Sequence, residues 1–166
     1  FQPWVAYYPS GYRLGEVATF LNGQLAELSS RHRFTKLYVV AHSMGGLVSR
    51  ALILRDATRG DKSLIKLFVT VSTPWGGHAA AESGLENSPV VMPVWNDMAP
   101  SSDFLKEIYG TRLSRSVPHH LLFGYHGKGS LIQDSNNDGV VSLASQLRIE
   151  AQEEAIEVRG FDANHT

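Results

Sequence analysis

The feature that most constrains the fold is the stretch VVAHSMGGLVSR at residues 39–50. An apolar run without polar alternation, typical of a strand buried in a parallel sheet, leads directly into a helical pattern. Ser43 lies at the junction, between Ala41 and Gly45, in the form small-x-Ser-x-small. A serine at such a sharp turn adopts a strained backbone conformation, and large side chains two positions away would collide. The stretch therefore predicts a nucleophile elbow, with Ser43 as the nucleophile.

An ordinary strand-to-helix turn with a capping serine can show the same five-residue pattern. The buried strand before Ser43 and the amphipathic helix after it favour the elbow, because the motif requires both. Gly46 is expected to let the new helix pack close to the sheet. The N-terminus of that helix would direct free N–H groups at any negative charge that forms beside Ser43.

Strands and helices alternate along the rest of the chain. Apolar runs predict strands at residues 4–8, 36–42, 65–72, 120–125 and 155–161. Helical spacing predicts helices at residues 14–28, 47–60 and 143–147, and it returns briefly around Phe104, Leu105 and Ile108. Continuous apolar strands of this kind are expected to be buried on both faces of a mostly parallel sheet, in a three-layer α/β sandwich. A length of 166 residues corresponds to about one domain. Because a strand is predicted at the very start, we expect the chain to be part of a longer protein.

Composition excludes several classes of partner. The formal net charge is −1 and the basic residues are scattered, so no nucleic-acid partner is expected. No apolar run approaches the roughly 20 residues that span a bilayer, so no transmembrane segment is expected. The chain has no cysteine, which removes disulfides and thiolate metal sites, whereas seven histidines leave acid–base chemistry open.

Six segments carry a resemblance to a known family: YYPSGYRL, VVAHSMGGLVSRALI, VSTPWGG, VWNDMAPSSDFL, NDGVVSLASQ and FDANHT. They extend over most of the chain. The sequence resembles serine lipases and esterases of the α/β-hydrolase fold, in the branch that includes bacterial triacylglycerol-lipase-like proteins and PGAP1-like (GPI inositol-deacylase-like) hydrolases. The resemblance implies cleavage of a lipid or small-molecule carboxylic ester through an acyl-enzyme, without a cofactor or metal, with transient contact with a membrane surface.

A serine hydroxyl needs an imidazole base, and the imidazole needs a carboxylate that fixes its tautomer. In this fold the chain order is Ser, then Asp or Glu, then His. The resemblance places the acid at Asp138, in the turn-rich segment NDGVV, with Asp134 as the second candidate. Residues 134–139 also match the opening of a calcium loop, but Ser145 stands where an EF-hand needs glutamate. A plain Asn/Asp turn is a further alternative.

His165 directly follows the last predicted strand, where the general base of this fold is expected. Its segment FDANHT also matches the family pattern. The alternatives for the base are His78, His120 and His126. His42 adjoins the nucleophile, and we expect its side chain to point away from the site in a structural role.

The oxyanion of the tetrahedral intermediate needs at least two N–H donors. We expect the backbone N–H of Met44 to be one. The resemblance implies that the second comes from a His-Gly element before Trp4, and no such element occurs there. We therefore expect either that it lies upstream in a longer protein or that the oxyanion hole is incomplete.

Residues 76–118 interrupt the strand–helix rhythm at the place where lipases insert a lid or cap, and we expect them to form one. Their apolar side chains would line an acyl pocket or cover the serine, or would instead pack on the sheet as an ordinary insertion. The residues concerned are Val90, Val91, Met92, Val94, Trp95 and Met98, and Trp75 is expected to border the same cleft.

Two other functions use the same features. An acyltransferase would pass the acyl group from Ser43 to an alcohol instead of water. A non-catalytic domain of this fold, used for binding, would be consistent with the missing oxyanion element.

Overall fold

The computed structural model describes residues 2–58, 60, 63–126 and 136–165. In chain order its elements are α1 Leu14–His32, β1 Leu37–His42, α2 Met44–Ala57, β2 Ile65–Val71, α3 Ala79–Asn87, α4 Trp95–Met98, α5 Asp103–Tyr109, β3 His119–Gly124, α6 Leu143–Gln146, α7 Ile149–Glu154 and β4 Ala155–Phe161. The strands form one sheet in the order β1-β2-β3-β4, with every neighbouring pair parallel. The predicted α/β class with a mostly parallel sheet is confirmed.

One face of the sheet carries the hydrophobic core. Ala41 of β1, Phe68 of β2 and Leu121 of β3 are buried on this face and pack with apolar residues of α1, α2, α5 and α7. Ala41 and Leu121 both align with Thr70, which lies two residues after Phe68 on the same face of β2. Alternation of side chains along a strand places their sequence neighbours on the opposite face. The core therefore lies between the sheet and one layer of helices.

The opposite face of β1 is not buried, contrary to the prediction for residues 36–42. Val40 is 74% exposed, and Tyr38 on the same face is exposed as well. Within the described part of the chain, the helices contribute to the core on the other side. The apolar run signalled a parallel strand correctly, but local sequence does not report which face is covered.

The predicted strand at residues 4–8 is absent. The described part of this segment forms no ladder with any of the four strands. Trp4 instead packs on His32 and Phe34, with ring centroids 5.5 and 5.1 Å apart respectively. Aromatic residues favour strands only where a neighbouring strand offers a surface to pack on, and here the end of α1 takes that role.

The other predicted strands and helices are confirmed within a few residues at each end. Helices α3, α4 and α7 were not predicted. Helix α3 is rich in alanine and short polar residues, with Ala81 as its only buried residue. Helix α7 is a six-residue element with only Ala151 buried, which is too short to show helical spacing.

Arg50 ties the second half of the chain to α2. Its buried guanidinium forms an ion pair with Glu154 at the end of α7, and it donates to the carbonyl oxygens of Ile108 and Thr111 at 3.0 and 3.1 Å. A buried charge with several partners fixes the elements that supply them. Since β4 begins directly after Glu154, this pair also fixes the start of the last strand.

Residues 76–118 are attached to the body of the protein through α4. The Asp97 carboxylate is buried, accepts the Leu14 N–H at 2.6 Å and pairs with Arg13 at 2.7 Å. An acidic group at a helix N-terminus is stabilising, so α4 caps α1. No helix in the described residues is long and apolar enough to cross a bilayer.

Candidate active site

Ser43 occupies a strained turn between β1 and α2. Its N–H still donates to the Val71 carbonyl oxygen at 2.9 Å, as a strand residue would, while its own carbonyl accepts the Gly46 N–H at 3.0 Å. The backbone angles are φ 53° and ψ −133°, a region that non-glycine residues rarely adopt. Strain of this kind is common where a side chain must be held in a fixed direction.

Small residues around Ser43 are required to different degrees. A Cβ on Gly46 would lie 2.1 Å from the Thr73 hydroxyl oxygen, so only glycine allows α2 to approach the end of β2. A Cβ on Gly45 would be in ordinary contact with Ala41, at 3.8 Å, and with the Tyr8 hydroxyl, at 3.5 Å. The expected role of Gly46 is confirmed, and position 45 has room for little more than a methyl group.

Ser43, His165 and Asp138 form a continuous hydrogen-bonded line. His165 Nε2 lies 2.9 Å from Ser43 Oγ, and His165 Nδ1 lies 2.7 Å from Asp138 Oδ2. An ionised carboxylate only accepts, so Nδ1 carries the proton and Nε2 is free to accept the serine hydroxyl. The Asp138 side chain is fully buried and that of His165 is 10% exposed. This arrangement allows proton transfer from the hydroxyl to the imidazole.

The three side chains meet because each follows the carboxyl end of a strand. Ser43 follows β1, Asp138 follows β3 after a connection, and His165 follows β4. The carboxyl ends of parallel strands share one edge of the sheet, where such folds place their sites. The His165 N–H also donates to the Asp138 carbonyl oxygen at 2.7 Å, which joins the two loops through the backbone.

The environment of Asp138 favours its ionised form. Burial alone would raise its pKa. The N–H groups of Val141 and Val140, at 2.8 and 3.1 Å from Oδ1, together with His165 and the Ser72 hydroxyl, outweigh burial and lower the pKa below its usual value. Hydrogen bonds to the charged form act in this direction.

Two side chains that the sequence analysis did not single out as supports hold the Asp138 loop. Buried Gln146 donates to the carbonyl oxygens of Val141 and Gly124 and accepts the Gly124 N–H, each at 3.1 Å. His78 donates from Nε2 to the Val140 carbonyl oxygen at 2.9 Å. The available signal was the segment NDGVVSLASQ, which carries both Asp138 and, at its end, Gln146.

The expectation that His42 points away from the site is wrong. Its ring lies 4.7 Å from the His165 ring, and its Nε2 donates to the His165 carbonyl oxygen at 2.7 Å. His42 lies on the open face of the sheet, and the segment after β4 crosses over that face. His42 therefore supports His165, a contact that only the return of the last strand creates.

Two of the alternative bases pair with carboxylates away from the serine. His120 bonds Glu157 at 2.7 Å, and His126 bonds Asp162. Asp134, the second candidate for the acid, lies outside the described residues, as does the start of the calcium-loop pattern. Among the residues that the structure describes, no group of three or more His, Cys, Asp or Glu side chains could hold a metal ion.

The four residues expected to contact a substrate have different surroundings. Trp75 is 1% exposed, with its ring 6.2 Å from Phe68 in the core, so in this conformation its ring is not available to a substrate. Trp95 is half-buried, and its ring lies where a Cβ on Gly84 would be. Val91 and Met92 are exposed, and Met92 lies beside Gly11.

Met44, the expected oxyanion donor, is the first residue of α2. The first N–H groups of a helix have no partner within the helix. Among the described residues, the Met44 N–H has no hydrogen-bond acceptor outside α2. It is therefore available to a ligand beside Ser43.

Solved structures with the same fold include several hydrolases. The mature form of Bacillus licheniformis lipase BlEst2 is 16% identical, with a TM-score of 0.66 over 93% of this chain and 68% of the other. The lin2722 gene product of Listeria innocua is 20% identical, with a TM-score of 0.61 over 90% and 56%. Phospholipase PlaB of Legionella pneumophila is 15% identical, with a TM-score of 0.64 over 87% and 34%. The chain thus spans about half of the Listeria protein and about a third of the Legionella phospholipase.

At these identities the similarity shows the fold, which is that of the α/β hydrolases. No curated protein matches the sequence. The family model of the PGAP1-like alpha/beta domain matches residues 10–100, which is more than half of the chain and includes the elbow. The resemblance inferred from the motifs is confirmed, and the chain belongs to the PGAP1-like alpha/beta domain family.

Proposed function

We propose that this protein is a serine hydrolase that cleaves carboxylic esters of lipids or small molecules through an acyl-enzyme on Ser43. The observation that carries the proposal is the hydrogen-bonded line from Ser43 through His165 to Asp138, with distances of 2.9 and 2.7 Å. The strained φ of 53° at Ser43 supports the same role, because it holds the hydroxyl at the sheet edge. Similarity to structures named lipase and phospholipase agrees with it.

In the first half of the reaction, Ser43 Oγ attacks the ester carbonyl carbon while His165 Nε2 takes the hydroxyl proton. The carbonyl electron pair moves to oxygen, and Asp138 stabilises the imidazolium. The intermediate collapses, the bond to the alcohol breaks, and His165 gives its proton to the leaving oxygen. Water then attacks the acyl-enzyme with His165 again as the base, which releases the acid and regenerates Ser43.

The Met44 N–H stabilises the oxyanion in both halves. A preorganised donor of this kind contributes roughly 3 kcal/mol to the transition state. The positive end of α2 lies at the same place and adds to this effect.

Residues 76–118 are proposed to act as the cap over this site. Asp97 anchors α4 to α1, whereas the side chains of Val90, Val91 and Met92 are exposed and apolar. Of these three, Met92 lies beside Gly11. Val91 and Met92 would contact the acyl chain, and Trp95 would support them against α3. Transient contact with a membrane surface would occur through the same apolar side chains.

Labelling with a fluorophosphonate probe tests the nucleophile. We expect the wild-type protein to be labelled and Ser43→Ala to show no labelling, because the probe requires an activated serine. Ser30→Ala is the matched control, since Ser30 is an exposed serine in α1, and it should be labelled at the wild-type rate.

A folded wild-type protein that neither reacts with the probe nor hydrolyses p-nitrophenyl butyrate would contradict the proposal and favour a non-catalytic binding domain. Hydrolase and acyltransferase are separated by adding a primary alcohol to the assay. A hydrolase releases mainly the free acid, whereas an acyltransferase releases mainly the new ester.

A further inference from the structure

The side chain of Tyr8 reaches the start of α2 from the N-terminal segment. Its hydroxyl lies 3.5 Å from the position that a Cβ on Gly45 would occupy, two residues after Ser43. The side chain is half-buried and packs against the core. A hydroxyl is therefore held beside the elbow by a residue that the proposed mechanism does not use.

Tyr8 and His165 approach the elbow from opposite sides. His165 packs on His42, which lies on the open face of the sheet. The position beside the Tyr8 hydroxyl also faces Ala41, at 3.8 Å, and Ala41 lies on the face that carries the helices. The base and the tyrosine thus flank the turn that carries Ser43. In the proposed mechanism His165 serves the hydroxyl and the leaving oxygen, so we expect the carbonyl oxygen of a bound ester to lie on the side away from His165.

The Tyr8 hydroxyl is available as a donor. Within the described part of the chain, no hydrogen bond or ion pair involves it. Burial raises the pKa of Tyr8 above its usual value, so the phenol keeps its proton at neutral pH. A neutral phenol in a half-buried place is a stronger donor than one in water.

The backbone on both sides of Tyr8 is held in place. Trp4 packs edge-on against Phe34 at 5.1 Å, and the Gly11 carbonyl oxygen accepts the Val94 N–H at 3.1 Å. The turn between them is closed by the Tyr12 N–H on the Pro9 carbonyl oxygen, at 3.4 Å. Donors that are fixed before the reaction stabilise a developing charge without reorganisation.

We propose that the Tyr8 hydroxyl is the second oxyanion donor, acting beside the Met44 N–H on the carbonyl oxygen of the bound ester. This inference rests on the proposed function of Ser43. It gives the oxyanion hole a side-chain donor from within this chain.

Tyr8→Phe removes the hydroxyl and keeps the ring. With p-nitrophenyl butyrate, we expect kcat to fall about 100-fold while KM stays within twofold, because the interaction exists only in the transition state. Tyr7→Phe is the matched control: Tyr7 is the neighbouring tyrosine, is 88% exposed, and should retain wild-type kinetics.

Inhibitor affinity provides a second measurement that a structural role would not reproduce. A trifluoromethyl ketone forms a tetrahedral adduct with an oxyanion on the serine, whereas the corresponding alcohol cannot. In Tyr8→Phe we expect the affinity for the ketone to fall by one to two orders of magnitude and the affinity for the alcohol to stay unchanged. Equal losses for both compounds, or a Tyr8→Phe variant within twofold of wild type, would overturn the inference while leaving Ser43 as the nucleophile. An inert wild-type protein would overturn the proposed function and this inference together.

Discussion

Two imidazole–carboxylate pairs in this protein have the same geometry and different surroundings. His165–Asp138 and His120–Glu157 are both joined from Nδ1 at 2.7 Å. The first pair lies at the carboxyl edge of the sheet, with side chains 10% and 0% exposed, and a serine hydroxyl follows it. The second lies on the open face, with side chains 31% and 47% exposed.

An imidazole–carboxylate pair by itself does not make an active site. Water screens the exposed His120–Glu157 pair, which therefore contributes little to stability or reactivity. Burial strengthens the interaction of Asp138 with an imidazolium, and three further donors keep its carboxyl group ionised. In the proposed mechanism, the serine hydroxyl supplies the proton that the imidazole accepts. Position at the end of a strand decides all three conditions.

The largest expected difference between the pairs is in turnover when the imidazole is removed. His165→Ala should lower kcat/KM for p-nitrophenyl butyrate by about 10⁵-fold, because Ser43 loses its base. His120→Ala removes the same group from the exposed pair and should stay within twofold of wild type. A His165→Ala variant with near-normal turnover would show that another histidine is the base and that the buried pair is not needed for the reaction.

A smaller effect is expected when each carboxylate becomes an amide. Asp138→Asn should lower kcat by about 10³- to 10⁴-fold, because an amide that donates to Nδ1 favours the wrong imidazole tautomer. Glu157→Gln is the matched change and should leave kcat unaltered. Steady-state kinetics checks both, and equal losses in the two variants would mean that the exposed pair also serves the reaction.

A third imidazole, that of His119, has no carboxylate partner among the described residues, and we expect its effect on stability to depend on pH. It is buried against Phe68, and burial, with the charges of Arg50 and His120, lowers its pKa from 6.5 to about 3. Below pH 6.5 the unfolded chain binds a proton that the folded protein excludes, so stability is complete above pH 6.5 and falls as the pH decreases. Between pH 7.5 and 4.5 we expect His119 to account for a loss on the order of 2 to 3 kcal/mol in the free energy of unfolding.

Urea unfolding at several pH values measures this loss, and His119→Gln is the reference that lacks the titrating group. The wild-type free energy of unfolding should fall more steeply with acid than that of the variant. Asp138 contributes little to the change in stability between pH 7.5 and 4.5. The stability that its lowered pKa supplies is lost only as the pH falls below its unfolded value near 3.8. Parallel pH profiles for the two proteins would show that His119 is protonated in the folded state.

The parallel strands, the elbow and the turn that carries Asp138 could all be predicted from the sequence. Each is a local pattern: apolar runs for β2 and β3, small residues around Ser43, and a turn-rich loop before Val141. Local patterns report conformations that nearby residues impose on one another. The resemblance to the family supplied the roles of Asp138 and His165, which lie on segments after later predicted strands.

Which surfaces are covered and which distant groups touch depends on the tertiary structure. The sequence predicted a strand at residues 4–8 and burial of both faces of β1, and both expectations failed because pairing and burial depend on what lies alongside. The contact of His42 with His165, 123 positions away, and the approach of Tyr8 to Gly45 likewise exist only after the chain closes. Local propensity carries no information on such contacts, because their energy comes from groups that folding brings together.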